Sequence, residues 1–149
     1  MVQSRSLTKT LAALIAILSP ASAMAQTWHV VGTGGQPGDR AVWFIDEGSI
    51  RSDGNNKQFW IKVISEKPSV GRDRYIALKR ADCQSGTVLE LQVSTYFGKS
   101  PMGNVPPMTI KYPVPGSSLD MVLQVACGQK KSLFPVVDAD EFAARMFRQ

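Results

Sequence analysis

The sequence predicts an α+β fold, in which one antiparallel sheet packs against helices from the C-terminal part of the chain. From about residue 27 to residue 97, apolar and polar residues alternate with the period of a β-strand. Beyond residue 117 the apolar residues recur instead at helical spacing. Short Gly- and Asn-containing turns between the alternating runs favour a meander of sequential neighbours.

Five alternating runs are predicted as strands, and one further run is a candidate edge strand. The five runs span residues 27–31, 41–45, 57–66, 74–83 and 87–97. The candidate edge strand lies at 108–112, within a Pro-rich stretch, because proline is tolerated at the edge of a sheet. The predicted sheet therefore has about five to six strands.

Strict alternation assigns the two faces of the run at 87–97. We expect Leu89, Leu91 and Val93 to face the core. The intervening residues, Glu90, Gln92 and Ser94, are then predicted to face outwards.

Capping residues define two predicted helices. Ser117 is a plausible N-cap for a helix that carries apolar residues at helical spacing and ends near Gly128. Asp138 caps a second predicted helix, from Ala139 to Arg148, with Glu141 three residues after the cap.

The N-terminus has the order of a secretory signal peptide. Arg5 and Lys9 precede the apolar run 11–18, and small residues around Ala25 suit signal peptidase. A run of eight strongly apolar residues is too short for a membrane span, which needs about 20. We expect cleavage before Gln26, with the Ala23/Met24 region as the other candidate, and export to the periplasm or the cell surface.

Two cysteines in an exported protein favour one structural disulfide, Cys83–Cys127. Metal binding is not expected, because the sequence has one histidine and no closely spaced cysteine pair. No cofactor motif is recognised, and no Ser, Cys or carboxylate group has the partners that catalysis requires. The three tryptophans could form a carbohydrate-stacking platform, although core packing is the commoner use of such residues.

Charge provides the remaining candidate site. Removing residues 1–25 takes away Arg5 and Lys9, and lowers the formal net charge from +5 to +3. The densest basic group consists of Arg72, Arg74, Lys79 and Arg80. It is interpreted either as a solvated strand face or as a surface for anionic or protein partners. Nucleic acid is not an expected partner, because these cations are diluted by Asp73 and by apolar residues.

Several short motifs occur in an order that resembles the surface-adhesin protein E-like family of exported Gram-negative proteins. The motifs are Trp28-His-Val-Val-Gly, Ala41-Val-Trp-Phe-Ile-Asp-Glu-Gly-Ser-Ile50, Phe59-Trp-Ile-Lys-Val63, Asp82-Cys83, Ser94-Thr-Tyr96, Val114-Pro-Gly-Ser117 and a helix with Cys127. The predicted organisation is a signal peptide at 1–25, a family-like domain at 26–128 and a C-terminal extension, helical in part, at 129–149.

The resemblance implies a curved antiparallel sheet on a helix, a Cys83–Cys127 bridge and adhesion to host extracellular-matrix proteins, and it leaves a homodimer open. The first functional hypothesis is therefore a non-enzymatic binding module. The alternative is a periplasmic structural or envelope-maintenance protein that meets a bacterial partner through a sheet edge. This alternative arises because the sequence offers neither a lipidation cysteine near the cleavage site nor a membrane span.

Overall fold

A computed structural model describes residues 26–69, 71–105 and 110–149. These residues form a seven-stranded antiparallel sheet and two helices, which confirms the predicted fold class. The strands are β1 (Trp28–Gly34), β2 (Ala41–Asp53), β3 (Asn56–Ser69), β4 (Arg72–Asp82), β5 (Thr87–Phe97), β6 (Ser100–Val105) and β7 (Phe134–Val136). The helices are α1 (Ser118–Ala126) and α2 (Ala139–Phe147). The predicted signal peptide at 1–25 and residues 108 and 109 of the candidate edge strand lie outside the described residues.

Strands β1 to β6 are sequential neighbours, and β7 adds a last strand beside β1. Tight turns make this meander possible. Gly54 and Gly86 adopt φ values of 57° and 69° in the β2–β3 and β4–β5 turns. Glycine adopts this left-handed conformation without a Cβ clash, so each reversal of direction needs few residues.

The two helices pack on opposite faces of the sheet. On the α1 face, Val122 and Leu123 join a buried cluster with Phe59 and Ile61 of β3. On the α2 face, Ala139 and Ala143 join a second buried cluster that includes Phe44 and Ile64. Strand β3 is therefore buried on both sides, which explains why apolar residues occupy both of its alternating faces.

The predicted disulfide is present. Cys83 follows β4 and Cys127 is the C-cap residue of α1, with 5.7 Å between their Cα atoms. The bond joins the helix to the β4–β5 end of the sheet, across a sequence separation of 44 residues.

The predicted faces of β5 are wrong in part. Val88, Glu90, Val93 and Thr95 are the buried residues of this strand. The pairing of β4 with β5 shifts between Leu78 and Lys79, which leaves Leu91 as an extra residue in β5. A β-bulge of this kind reverses the alternation on one side of it, so Glu90 faces inwards together with Val93.

The C-terminal segment is part of the sheet packing. The second helix is confirmed, and the Asp138 carboxylate accepts hydrogen bonds from the backbone nitrogens of Asp140 and Glu141. Strands β6 and β7 were not predicted, because β7 has three residues and β6 contains Pro101 and Gly103. Both lie at the edges of the sheet, where weak strand sequences are tolerated.

Arg40 and Glu66 hold the end of α2 against the sheet. The Arg40 guanidinium donates to both Glu66 carboxylate oxygens and to the backbone oxygens of Met146 and Phe147. The Arg40 hydrogen bonds lower the pKa of Glu66 from 4.5 to about 2.

We expect Glu66 to make stability dependent on acid. A lowered folded-state pKa stabilises the fold above pH 4.5, and this stabilisation is progressively lost as the pH falls from 4.5 towards 2. Urea unfolding at a series of pH values measures this loss. The free energy of unfolding should decrease less steeply with falling pH in Glu66→Gln than in the wild type. Parallel acid curves for the two proteins would contradict the assignment.

Candidate functional site

Helix α1 is too short to cover the face on which it packs. Its nine residues extend about 13 Å, whereas the 14 residues of β3 extend about 46 Å. Where β3 ends and β4 begins, the α1 face contains an open cavity of about 350 Å³. Its lining residues are Ser65, Ser69, Arg72, Asp73, Arg74, Tyr75, Glu90, Val93, Thr95 and Lys111.

A buried charged cluster forms one wall of the cavity. Lys79 and Glu90 lie opposite each other on β4 and β5, and their side chains are 1% and 7% exposed. One Glu90 carboxylate oxygen accepts from Lys79 Nζ at 2.8 Å and from Lys111 Nζ at 3.2 Å. The cluster therefore has two cations and one anion.

Backbone pairing places Lys111 in this cluster. The backbone nitrogen and oxygen of Lys111 pair with those of Val88, at 2.8 and 2.9 Å. This isolated bridge directs Lys111 to the same side of β5 as Val88 and Glu90. A residue of the Pro-rich stretch thus reaches the cavity through a contact with a distant strand.

The geometry keeps the Lys79–Glu90 pair ionised. Burial opposes ionisation of Glu90, but the hydrogen bond and charge of Lys79 lower its pKa overall. Burial also lowers the pKa of Lys79, and the contact with Glu90 opposes that shift. Each ion is held in its charged form mainly by the other.

Tyr75 forms a second wall of the cavity. Its ring packs edge to face on Trp43, with 6.4 Å between the ring centroids. Burial, and then the charge of Glu90, raise the pKa of Tyr75, so the hydroxyl stays protonated. This hydroxyl has no hydrogen-bond partner among the residues that the structure describes.

The rim of the cavity contains the Asp73–Arg74 ion pair and the exposed cation Arg72. Asp73 accepts from Arg74 at 2.9 Å and from the backbone nitrogen of Gly98 at 3.0 Å. Arg72 also lines the rim and is exposed, without an ion pair in the described part of the protein.

The four predicted basic residues do not form one patch. Arg72 and Arg74 line the cavity, and Arg74 also pairs with Asp140 of α2. Lys79 lies behind Glu90 and is buried, so its interpretation as part of a solvated strand face is wrong. Arg80 is exposed on the opposite face, where it lines a separate pocket.

The tryptophans are used mainly in packing. Trp28 is 9% exposed and belongs to the core on the α2 face. Trp43 and Trp60 are half-buried and pack against the α1-face and α2-face clusters respectively. Trp43 lies on the opposite face of the sheet from Trp28 and Trp60, so the three tryptophans do not form one stacking platform.

Sequence reasoning missed Tyr75, Glu90 and Lys111 as site residues. Among the described residues, no group of three or more His, Cys, Asp or Glu is arranged to hold a metal ion. Neither helix in the described ranges is long and apolar enough to cross a membrane. No protein-family model and no curated protein matches the sequence.

Proposed function

We propose that the protein is an exported, non-enzymatic binding module of the surface-adhesin protein E-like type, which receives a segment of a partner protein in the cavity. The observation that supports this most directly is the Lys79–Glu90–Lys111 cluster in an open cavity of about 350 Å³. Largely apolar pockets with a few fixed polar groups are the usual form of a binding site.

The fold is consistent with what the resemblance implies. An antiparallel sheet, a helix packed on it and a Cys83–Cys127 bridge are all present. A structural disulfide is typical of proteins that reside in an oxidising compartment, which supports export.

The protonation states in the cavity favour binding over proton-transfer chemistry. A general base near neutral pH needs a pKa close to the working pH. Glu90 has a lowered pKa and is engaged by two lysines, while Tyr75 has a raised pKa. Neither group is suited to accept a proton at neutral pH.

The alternative function is an envelope protein that contacts a bacterial partner through a sheet edge. Edge strand β6 exposes Met102 to 54%, and edge strand β7 exposes Phe134 to 46%. Protease added to intact cells separates the two functions. Cleavage of the protein supports a surface adhesin, whereas protection until the outer membrane is permeabilised supports the envelope protein.

We expect Ser65→Trp to weaken partner binding. Ser65 lies in the cavity wall and is half-buried, so a tryptophan there fills the space that the partner segment needs. Affinity for immobilised extracellular-matrix proteins, measured by surface plasmon resonance, should fall by at least about tenfold.

Ser52→Trp is the matched control. Ser52 is exposed near the β2–β3 turn and does not line the cavity. Circular dichroism and thermal unfolding establish that both variants fold. Equal affinity of wild type, Ser65→Trp and Ser52→Trp would place the binding surface elsewhere.

A further inference from the structure

We infer that the cavity selects a partner segment that carries a carboxylate next to an apolar residue. The carboxylate belongs either to an acidic side chain or to the free C-terminus of the partner. This inference rests on the proposed function, because it specifies the chemistry of the segment that the cavity receives.

The charges around the cavity favour an anionic ligand over a cationic one. The Lys79–Glu90–Lys111 cluster has one positive charge in excess, and Arg72 on the rim adds a second. Arg74 pairs with both Asp73 and Asp140, and Asp140 also pairs with Lys62, so this group of two cations and two carboxylates has no net charge. Outside the described ranges, residues 70 and 106–109 are uncharged and residues 1–25 contain no Asp or Glu. A bound cation would therefore be repelled, and a carboxylate would be attracted.

The hydrogen-bonding groups also favour an acceptor. Tyr75 has a protonated hydroxyl without an intramolecular partner among the described residues. Arg72 supplies charged N–H donors at the edge of the same cavity, and the ammonium group of Lys111, which pairs with Glu90, adds positive charge there. Hydrogen bonds from charged donors to a carboxylate are about twice as strong as neutral ones.

The rest of the cavity suits an apolar side chain. Val93, Thr95 and the aromatic residue Tyr75 line the cavity together with the charged cluster. At about 350 Å³ the cavity is near the lower limit for a ligand pocket, so it accommodates one or two residues rather than a folded surface.

Matched acid and amide probes test this inference. N-acetyl-leucine and N-acetyl-leucinamide represent a protein C-terminus with and without its charge. The peptides acetyl-Leu-Glu-amide and acetyl-Leu-Gln-amide represent an acidic side chain with and without its charge. Titration of isotope-labelled protein, followed by nuclear magnetic resonance, measures each dissociation constant and identifies the residues whose resonances shift.

We expect at least one acid to bind about tenfold more tightly than its amide, with shifts at Tyr75 and Thr95. Arg72→Glu should remove most of this preference, whereas Arg80→Glu should retain it. Both arginines are exposed on β4, but Arg80 does not line the cavity. Tyr75→Phe should weaken binding of the acid several-fold and leave that of the amide unchanged.

The outcomes separate the inference from the proposed function. Equal binding of acid and amide in the cavity would overturn selection for a carboxylate and leave cavity binding intact. If no probe shifts the cavity resonances, both the inference and the cavity as a binding site fail. A preference for acid over amide in the leucine pair identifies a free C-terminus as the ligand. The same preference in the Glu/Gln pair identifies an acidic side chain.

Discussion

Glu90→Leu should lower the free energy of unfolding by about 3–5 kcal/mol, because it leaves a buried ammonium group without its counter-ion. Lys79 is 1% exposed, and the described residues offer it no other carboxylate partner. The measurement is urea unfolding at neutral pH, monitored by tryptophan fluorescence.

The double variant Lys79→Met/Glu90→Leu tests whether the loss comes from the unpaired charge. Replacing both ions of a buried pair by apolar residues of similar volume is often neutral or stabilising. We therefore expect the double variant to recover most of the stability that Glu90→Leu loses. Glu141→Leu is the control at an exposed carboxylate, where removing an i,i+4 pair should change stability by about 0.5 kcal/mol or less. A loss below about 1 kcal/mol in Glu90→Leu would contradict the assigned role of the pair.

Cys83→Ser/Cys127→Ser should lower the free energy of unfolding by about 4 kcal/mol in the chain-entropy model. The bond closes a loop with a sequence separation of 44 residues and fixes α1 to the end of β4. Without it, the unfolded state gains conformational freedom that the folded state does not.

The reference for this double substitution is the wild-type protein, unfolded in urea with and without a reducing agent. Reduction should lower the urea concentration at the unfolding midpoint of the wild type, as the double substitution does. It should have no effect on the midpoint of the double variant. An unchanged midpoint on reduction would mean that the loop is constrained by packing alone.

Local sequence chemistry predicted most of the elements. The Ser117 and Asp138 caps identify the two helix starts. In the structure, both side chains accept hydrogen bonds from backbone N–H groups in the first turn of their helix. The turn residues around Gly54 and Gly86 identify two of the hairpins. These signals depend on residues within a few positions of each other, so a single sequence contains them.

The faces of β5 could not be predicted in the same way. Leu89, Leu91 and Val93 alternate as core residues should, yet a bulge at Leu91 places Glu90 inside. A bulge is selected by pairing with β4, which involves residues that are not neighbours in the sequence. An acidic residue in an apolar strand is a weak signal until its buried partner is identified.

The candidate site also combines features that the local sequence predicts with features that depend on contacts between distant segments. By itself the sequence determined the meander, the capped helices and the cysteine pair, because periodicity, turns and caps act over short distances along the backbone. Only the tertiary structure decided which cations are buried, which line the cavity and which face solvent. Lys79 and Arg80 are consecutive, but one lies behind Glu90 and the other is exposed on the opposite face. Lys111 reaches the cluster through its backbone bridge to Val88. Cross-strand register places these groups, and it arises from pairing between segments that are distant in the sequence.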